Sequence, residues 1–279
     1  MKAPVQSISV SRVLTNTKET SPDLVAVEEP LEIRIGYGEE KNREQITIAV
    51  TMRTPGNDFE LAVGFLFTEG ILNSLLDLES LKYCSDTGKQ EEKENVVRAE
   101  LKPHLNMDVS RFQRNFYMSS SCGVCGKASI ESVSTHCSKI SDQSIVSPLI
   151  IHKLQEELRR DQIVFDHTGG LHASALFDFD GNKKIIREDV GRHNALDKVI
   201  GAMLLKKENA MNKSILWVSG RASFELVQKA AMAGIPLMVA VGAPSSLAIS
   251  LAQEVNMTLL GFARNEKFNI YSGEQRIQI

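Results

Sequence analysis

Residues 214–264 read "SILWVSGRASFELVQKAAMAGIPLMVAVGAPSSLAISLAQEVNMTLLGFAR", and their rhythm decides the fold class. Short, nearly unbroken apolar runs, Ile215 to Val218 and Ile235 to Val241, alternate with segments whose apolar residues recur at helical spacing, Phe224 to Ala233 and Leu247 to Val255. A third run follows at Thr258 to Phe262. Strands apolar on both faces and separated by helices are the pattern of a parallel sheet covered by helices on both sides. The predicted fold class is α/β.

Upstream, Arg192 opens a helix carrying Ala195, Leu196, Val199, Ile200 and Met203, and Ser147-Pro148 opens another with Leu149, Ile150, Leu154 and Leu158 on one stripe. Asp180-Gly181 marks a hairpin turn. The first third reads differently. Leu31 to Tyr37, Gln45 to Arg53 and Val96 to Leu101 are strand-like, and Asp58 stands where it can cap a helix bearing Leu61, Ala62, Phe65 and Leu66 that ends near Gly70. Residues 1–110 are expected to form a smaller α+β domain and residues 111–279 the α/β domain.

The 279 residues include 35 acids and 32 bases, a formal charge of −3, so no general field draws nucleic acid or an anionic membrane and neither is expected as a partner. The stretch MKAPVQSISVSRVL lacks the apolar region of a secretory signal, and the most apolar window, Ala230 to Ala243, is cut by Gly234 and Pro236. A cytoplasmic location is expected. Thiols stay reduced there, so the four cysteines are not read as a disulfide framework.

Ligands of a parallel sheet collect beyond the carboxyl ends of its strands. The segments there are SGRAS (Ser219 to Ser223), GAPSS (Gly242 to Ser246) and ARNEK (Ala263 to Lys267). Exposed amides at a helix start, with Ser245 or Ser246 as cap, suit a phosphate, and Arg221, Arg264 and Lys267 add charge. None of the three is a GxGxxG or Walker loop, so spacing alone names no nucleotide. Two further segments, DHTGGLHAS (Asp166 to Ser174) and EDVGRHNALD (Glu188 to Asp197), crowd His167, His172, His193 and Arg192 beside glycines such as Gly169 and Gly170. His193 and Asp197 also stand at i, i+4 spacing, where a surface pair on a helix start needs no chemistry.

In SSSCGVCGKASIE (Ser119 to Glu131), Cys122 and Cys125 lie among serines and glycines with little to pack against. A zinc site needs four ligands, and only His167 and His172 offer to complete one with this pair. A zinc deaminase requires HxE and PCxxC; no histidine here is followed by xE, and Ser121 precedes Cys122. A thioredoxin-like pair follows a strand in a βαβ unit, unlike this segment. A reactive thiol on a mobile arm explains the placement, since a helix over Gly126 to Val133, with Lys127, Arg111 and Arg114 nearby, favours a thiolate. Cys84 and Cys137 read as structural.

CGVCG (Cys122 to Gly126), EDVGRHNALDK (Glu188 to Lys198), SGRASFELVQKAAMAGIP (Ser219 to Pro236) and LLGFAR (Leu259 to Arg264) together resemble the formate dehydrogenase accessory sulfurtransferase family (FdhD), from about Leu31 to Tyr271. The resemblance implies a three-layer αβα, cytidine-deaminase-like domain beside the smaller N-terminal one, and a homodimer. It implies that sulfane sulfur from a cysteine desulfurase is held as a persulfide on Cys122, with Cys125 as second cysteine, in a mobile loop at about 118–128. The sulfur then passes to the molybdenum of the bis(molybdopterin guanine dinucleotide) cofactor used by formate dehydrogenase. The cofactor segment maps to Phe262, Ala263, Arg264, Asn265, Glu266 and Lys267. Ser219, Arg221, His167, Gly169, Gly170, His172, Arg192 and His193 are expected to complete the pocket, for which a GDP-like guanine nucleotide is a mimic. No metal ligand is assigned. The alternative is a zinc- or cofactor-binding chaperone without sulfur transfer.

Overall fold

The structure is a computed structural model that describes residues 2–84, 94–103, 105, 137–207, 210–264 and 266–278. Cys122, Cys125, the helix expected over Gly126 to Val133 and the expected boundary near residue 110 lie outside the described residues.

The N-terminal part opens with a long antiparallel hairpin, β1 (Val5–Leu14) and β2 (Thr17–Ala26), which the alternation of polar and apolar residues did not announce. The expected strands follow as β3 (Glu29–Tyr37) and β4 (Glu44–Arg53), then α1 (Asp58–Thr68), β5 (Leu78–Tyr83) and β6 (Val96–Leu101). They form a four-stranded sheet in the order β4-β3-β6-β5, with β3 and β6 parallel. Leu61, Ala62 and Leu66 of α1 pack on Leu31, Ile33, Ile35, Val97 and Ala99. Asp58 does not cap α1: Asn57 holds the cap position with a left-handed φ of 58°, and Asp58 is buried in a two-point pair with Arg53, Nε–Oδ1 3.0 Å and Nη2–Oδ2 3.0 Å. The preceding arginine is a stronger partner for a carboxylate than its own helix's amides.

The second part contains α2 (Pro148–Asp161), α3 (Ile163–Thr168), β7 (His172–Phe177), β8 (Lys183–Asp189), α4 (Arg192–Leu205), β9 (Ile215–Val218), α5 (Phe224–Met232), β10 (Leu237–Ala240), α6 (Ser246–Glu254), β11 (Thr258–Arg264) and β12 (Lys267–Ser272). Its six-stranded sheet has the order β12-β11-β10-β9-β7-β8, with β9, β10 and β11 parallel and the rest antiparallel. Along β9 and β10 the side chains alternate between two cores. Leu216, Val218, Met238 and Ala240 face α4, α5 and α6, whereas Ile215, Trp217, Leu237 and Val239 face α2. That is the three-layer αβα arrangement, and it explains why these strands are apolar throughout. On α2 the buried stripe is Ile151, Leu154 and Leu158; Leu149, expected on it, is 77% exposed in the first turn. The β7–β8 hairpin turns at Asp180-Gly181 as expected, Gly181 having φ +84°.

The two sheets meet through α1 and α4. A Cβ on Gly201 would overlap the carbonyl oxygen of Glu60, and one on Gly64 would overlap that of Asp197, so the helices touch backbone to backbone. Beside this crossing, Lys229 Nζ binds Asp197 Oδ2 at 2.9 Å and Thr68 Oγ1 at 2.8 Å, and Arg187 Nη2 binds Glu60 Oε1 at 2.7 Å. Asp197 is thus a buried junction residue and not the surface partner of His193, because its carboxylate faces α1 and α5. The reading of its spacing took the wrong helix face.

Candidate functional site

Beyond β9, β10 and β11 the chain turns through three loops that are laced together by backbone hydrogen bonds. Gly242 N donates to Gly220 O at 3.0 Å, Ser245 N to Ala222 O at 3.0 Å and Phe262 N to Gly242 O at 3.2 Å. Small residues are required for this approach. A Cβ on Gly242 would lie 2.9 Å from Arg221 Cγ and 3.0 Å from Arg221 Cα, and one on Gly261 would lie 2.9 Å from Pro244 Cδ. Ser245 caps α6, its hydroxyl accepting from Ala248 N at 3.3 Å. The N-termini of α5 and α6 therefore open at this edge, a setting that favours anions.

Ser219 extends the ladder between β9 and β7: its N donates to Ala173 O at 3.0 Å and its hydroxyl accepts from Ala173 N at 2.9 Å. Because β7 runs antiparallel to β9, its first residue, His172, arrives at the same edge. There the backbone of Gly220 lies against the His172 ring and Arg192; a Cβ on Gly220 would stand 3.5 Å from His172 Nδ1 and 3.9 Å from Arg192 Cδ. Burial, reinforced by the charges of Arg192 and His193, pushes the His172 pKa below its ordinary value.

His193, next along α4, places Nε2 2.8 Å from Glu225 Oε2 and 3.3 Å from Ser223 Oγ. Burial opposes charge on Glu225, yet hydrogen bonding and charge attraction from His193 hold its carboxyl below the usual range. Two polar atoms in this cluster, Arg192 Nε and Glu225 Oε1, are shielded from solvent with no hydrogen-bond partner among the described residues. Buried polar atoms of this kind are uncommon and mark a place where water or a ligand belongs.

The same stretch of chain serves the junction. Asp189 is fully buried, 2.6 Å from Lys198 Nζ, and accepts from Asn194 Nδ2 at 3.0 Å and Gly191 N at 2.8 Å. Lys198 Nζ donates to Thr54 O at 2.9 Å, and Asn194 Nδ2 to Met52 O at 2.8 Å. The EDVGRHNALDK segment therefore divides its residues. Arg192 and His193 face the strand ends, while Asp189, Asn194 and Lys198 grip the end of β4 and the turn after it.

Of the remaining expected residues, Arg221, Arg264, Glu266 and Lys267 are exposed, with Arg264 and Lys267 paired across the β11–β12 turn. Asn265 lies outside the described residues. Phe262 is 38% exposed with φ +53°, at an irregularity in β11, whereas Ala263 turns inward to the core. A non-glycine residue in that conformation carries strain, which gathers at functional loops. His167, Gly169 and Gly170 do not share the neighbours of His172. Gly169 ends α3 with φ +64°, Gly170 faces Ala26, and His167 lines a shallow recess with Ser7, Pro22, Asp23 and Leu24 of the β1–β2 hairpin. His167 sits in the last turn of α3 and Gly169 closes that helix, so both lie before the turn into β7 and beside the hairpin, apart from His172.

Glu225 was not anticipated; its only signal was a carboxylate in the first turn after SGRAS. Among the described residues, no three His, Cys, Asp or Glu side chains are grouped to hold a metal ion, and no helix is long and apolar enough to cross a membrane. Cys137 packs against the larger core with Sγ 4.0 Å from Gln228 O, and Cys84 is half-buried at the end of β5.

A model of the FdhD/NarQ family matches residues 26–278. The chain is 49% identical over 259 residues to the sulfur carrier protein FdhD of Mycolicibacterium paratuberculosis, covering 92% of each chain. It is 46% identical to that of Streptomyces coelicolor, covering 97% of this chain and 94% of the relative, and 40% identical to that of Sulfolobus acidocaldarius, covering 99% of both. Among solved structures, a formate dehydrogenase accessory protein from Desulfotalea psychrophila superposes with a TM-score of 0.75, at 21% identity, over 99% of this chain and 100% of that one. At that identity the likeness concerns the fold.

Proposed function

This chain belongs to the FdhD/NarQ family, and from that premise we propose that it is a cytoplasmic, dimeric sulfur carrier that serves formate dehydrogenase. Cys122 receives the sulfur. Its thiolate attacks the outer sulfur of a persulfide on a cysteine desulfurase, forming a new S–S bond while the desulfurase cysteine leaves as thiolate. Cys125 then attacks the sulfur of Cys122. A disulfide forms, the sulfane sulfur is reduced by these two thiols and departs as sulfide, and the acceptor is the molybdenum of the bis(molybdopterin guanine dinucleotide) substrate.

What supports the sulfur-carrier reading is the near full-length similarity to relatives that carry that name, joined to the CGVCG segment. For the substrate's dinucleotide arms, support comes from the strand-end bed. Its loops offer helix N-termini, Arg192, Arg221, Arg264 and Lys267 for phosphates, and the exposed ring of Phe262 as a face on which a flat base can stack. His167, Gly169 and Gly170 are excluded from this bed in the proposal.

Incubation with a cysteine desulfurase and cysteine is expected to add the mass of one sulfur to the peptide carrying Cys122, removable by reductant. Retention of that gain in Cys122→Ala would place the chemistry on another residue. Stoichiometric zinc in the purified protein, lost in Cys125→Ser, would favour the zinc-chaperone reading instead.

A further inference from the structure

Glu225 sits where a carboxylate is costly. It stands in the first turn of α5, mostly buried, with Oε2 2.8 Å from His193 Nε2 and Oε1 shielded and without a hydrogen-bond partner among the described residues. Leaving a buried acceptor unpaired is costly, and a side chain kept for packing alone would better be apolar here. The carboxylate's accomplishment is the orientation of one ring. His193 has two nitrogens; Nε2 is taken by Glu225 and lies beside Ser223 Oγ, while Nδ1 has no hydrogen-bond partner among the described residues. In the neutral imidazole, a carboxylate at Nε2 draws the single hydrogen there and leaves Nδ1 as a lone-pair acceptor. Arg192, the preceding residue of α4, and His172 stand against Gly220 at the edge where the three loops meet. Arg192 is a donor only, so an acceptor beside it supplies the polarity that a nucleotide carrying both N–H and phosphate groups requires.

We infer that Glu225 is a positioning residue: it fixes His193 as the Nε2–H tautomer, so that His193 Nδ1 accepts a hydrogen bond from an N–H or O–H donor of a guanine nucleotide bound at the strand ends. The inference rests on the nucleotide half of the proposed function and is independent of the sulfur chemistry.

The test is long-range proton–nitrogen NMR of protein labelled with 15N-histidine at about pH 8, above the ordinary histidine value of roughly 6.5, together with titration of GDP. For His193 the expected spectrum has a protonated Nε2 and a bare Nδ1. Glu225→Gln, which keeps a carbonyl acceptor, retains that spectrum and binds GDP within about threefold of wild type, whereas Glu225→Leu shows mixed tautomers and binds about tenfold more weakly, the worth of about one hydrogen bond. His193→Asn, whose amide takes the place of Nδ1, binds GDP better than His193→Gln, whose amide takes the place of Nε2; this comparison decides the matter if Glu225→Leu does not fold. A hydrogen on Nδ1 in the wild-type protein, or equal GDP affinity in all four variants, overturns the inference. Absence of GDP binding by the wild type overturns the nucleotide reading and the acceptor role with it. Failure to load sulfur on Cys122 with GDP binding intact overturns the carrier reading alone.

Discussion

Lys198 Nζ lies 2.6 Å from Asp189 Oδ2 with both side chains withdrawn from solvent, and the same ammonium donates to Thr54 O at 2.9 Å. A buried ion pair adds little over a well-packed apolar pair, but removing one partner strands the other. Lys198→Met leaves Asp189 buried without its counter-charge and is expected to cost about 3–5 kcal/mol. The measurement is the urea midpoint, and an unchanged midpoint would show that the junction does not depend on this pair.

At the α1–α4 crossing, Gly201→Ala drives a methyl group into the carbonyl oxygen of Glu60, a backbone atom that cannot rotate aside. The helices must separate, at an expected cost of about 1–3 kcal/mol. Ala202→Gly, one residue further along, serves as a control for helix propensity. Equal thermal midpoints for Gly201→Ala and wild type would contradict the backbone contact.

Gly242→Ala acts on the strand-end bed and not on the core. Its methyl would stand 2.9 Å from Arg221 Cγ and 3.0 Å from Arg221 Cα, so the first loop has to shift away from the second. Weaker GDP binding than wild type is expected, and Arg264→Ala is expected to weaken it about tenfold through loss of one charge-assisted hydrogen bond. Unchanged affinity in both variants would remove the nucleotide from these loops.

The depressed pKa of His172 links stability to pH. The folded state disfavours its protonation, so the unfolded chain binds more protons in the window from its folded value up to its unfolded value of about 6.5. Stability from this group is complete above that window and falls as pH drops through it. Glu188, whose pKa is raised chiefly by burial, has the opposite sign: its contribution is present below the carboxylate range and is lost as pH rises through the folded value. Between about pH 7 and 6, in a Glu188→Gln background that removes the opposing contribution, His172→Asn should flatten the decline of the urea midpoint. A decline as steep as in Glu188→Gln alone would assign it to other groups.

The parallel strands, their helices and the loops after them were legible because each is written locally: apolar runs of strand length, helical spacing between them, and small residues where loops approach. The β1–β2 hairpin was not, since TKETSPDLVA is largely polar and its strand state rests on pairing with β1. The roles within EDVGRHNALDK were mixed for a related reason. Which side chains face the strand ends and which face Thr54 depends on a neighbour more than a hundred residues away, as the separation of 144 between Lys198 and Thr54 illustrates. Glu225 went unnoticed because its importance comes from His193, 2.8 Å distant in space and on another helix.

The corner between β8 and α4 has no idle positions. Arg192 and His193 stand in sequence between Asp189, the last residue of β8, and Asn194 and Lys198 of α4, so the anchors bracket the groups at the strand ends. Thr54 is tied to residues on both sides of this pair, its N donating to Asp189 Oδ2 at 3.2 Å and its carbonyl accepting from Lys198 Nζ at 2.9 Å. The end of β4 is accordingly the abutment against which the corner before α4 is braced.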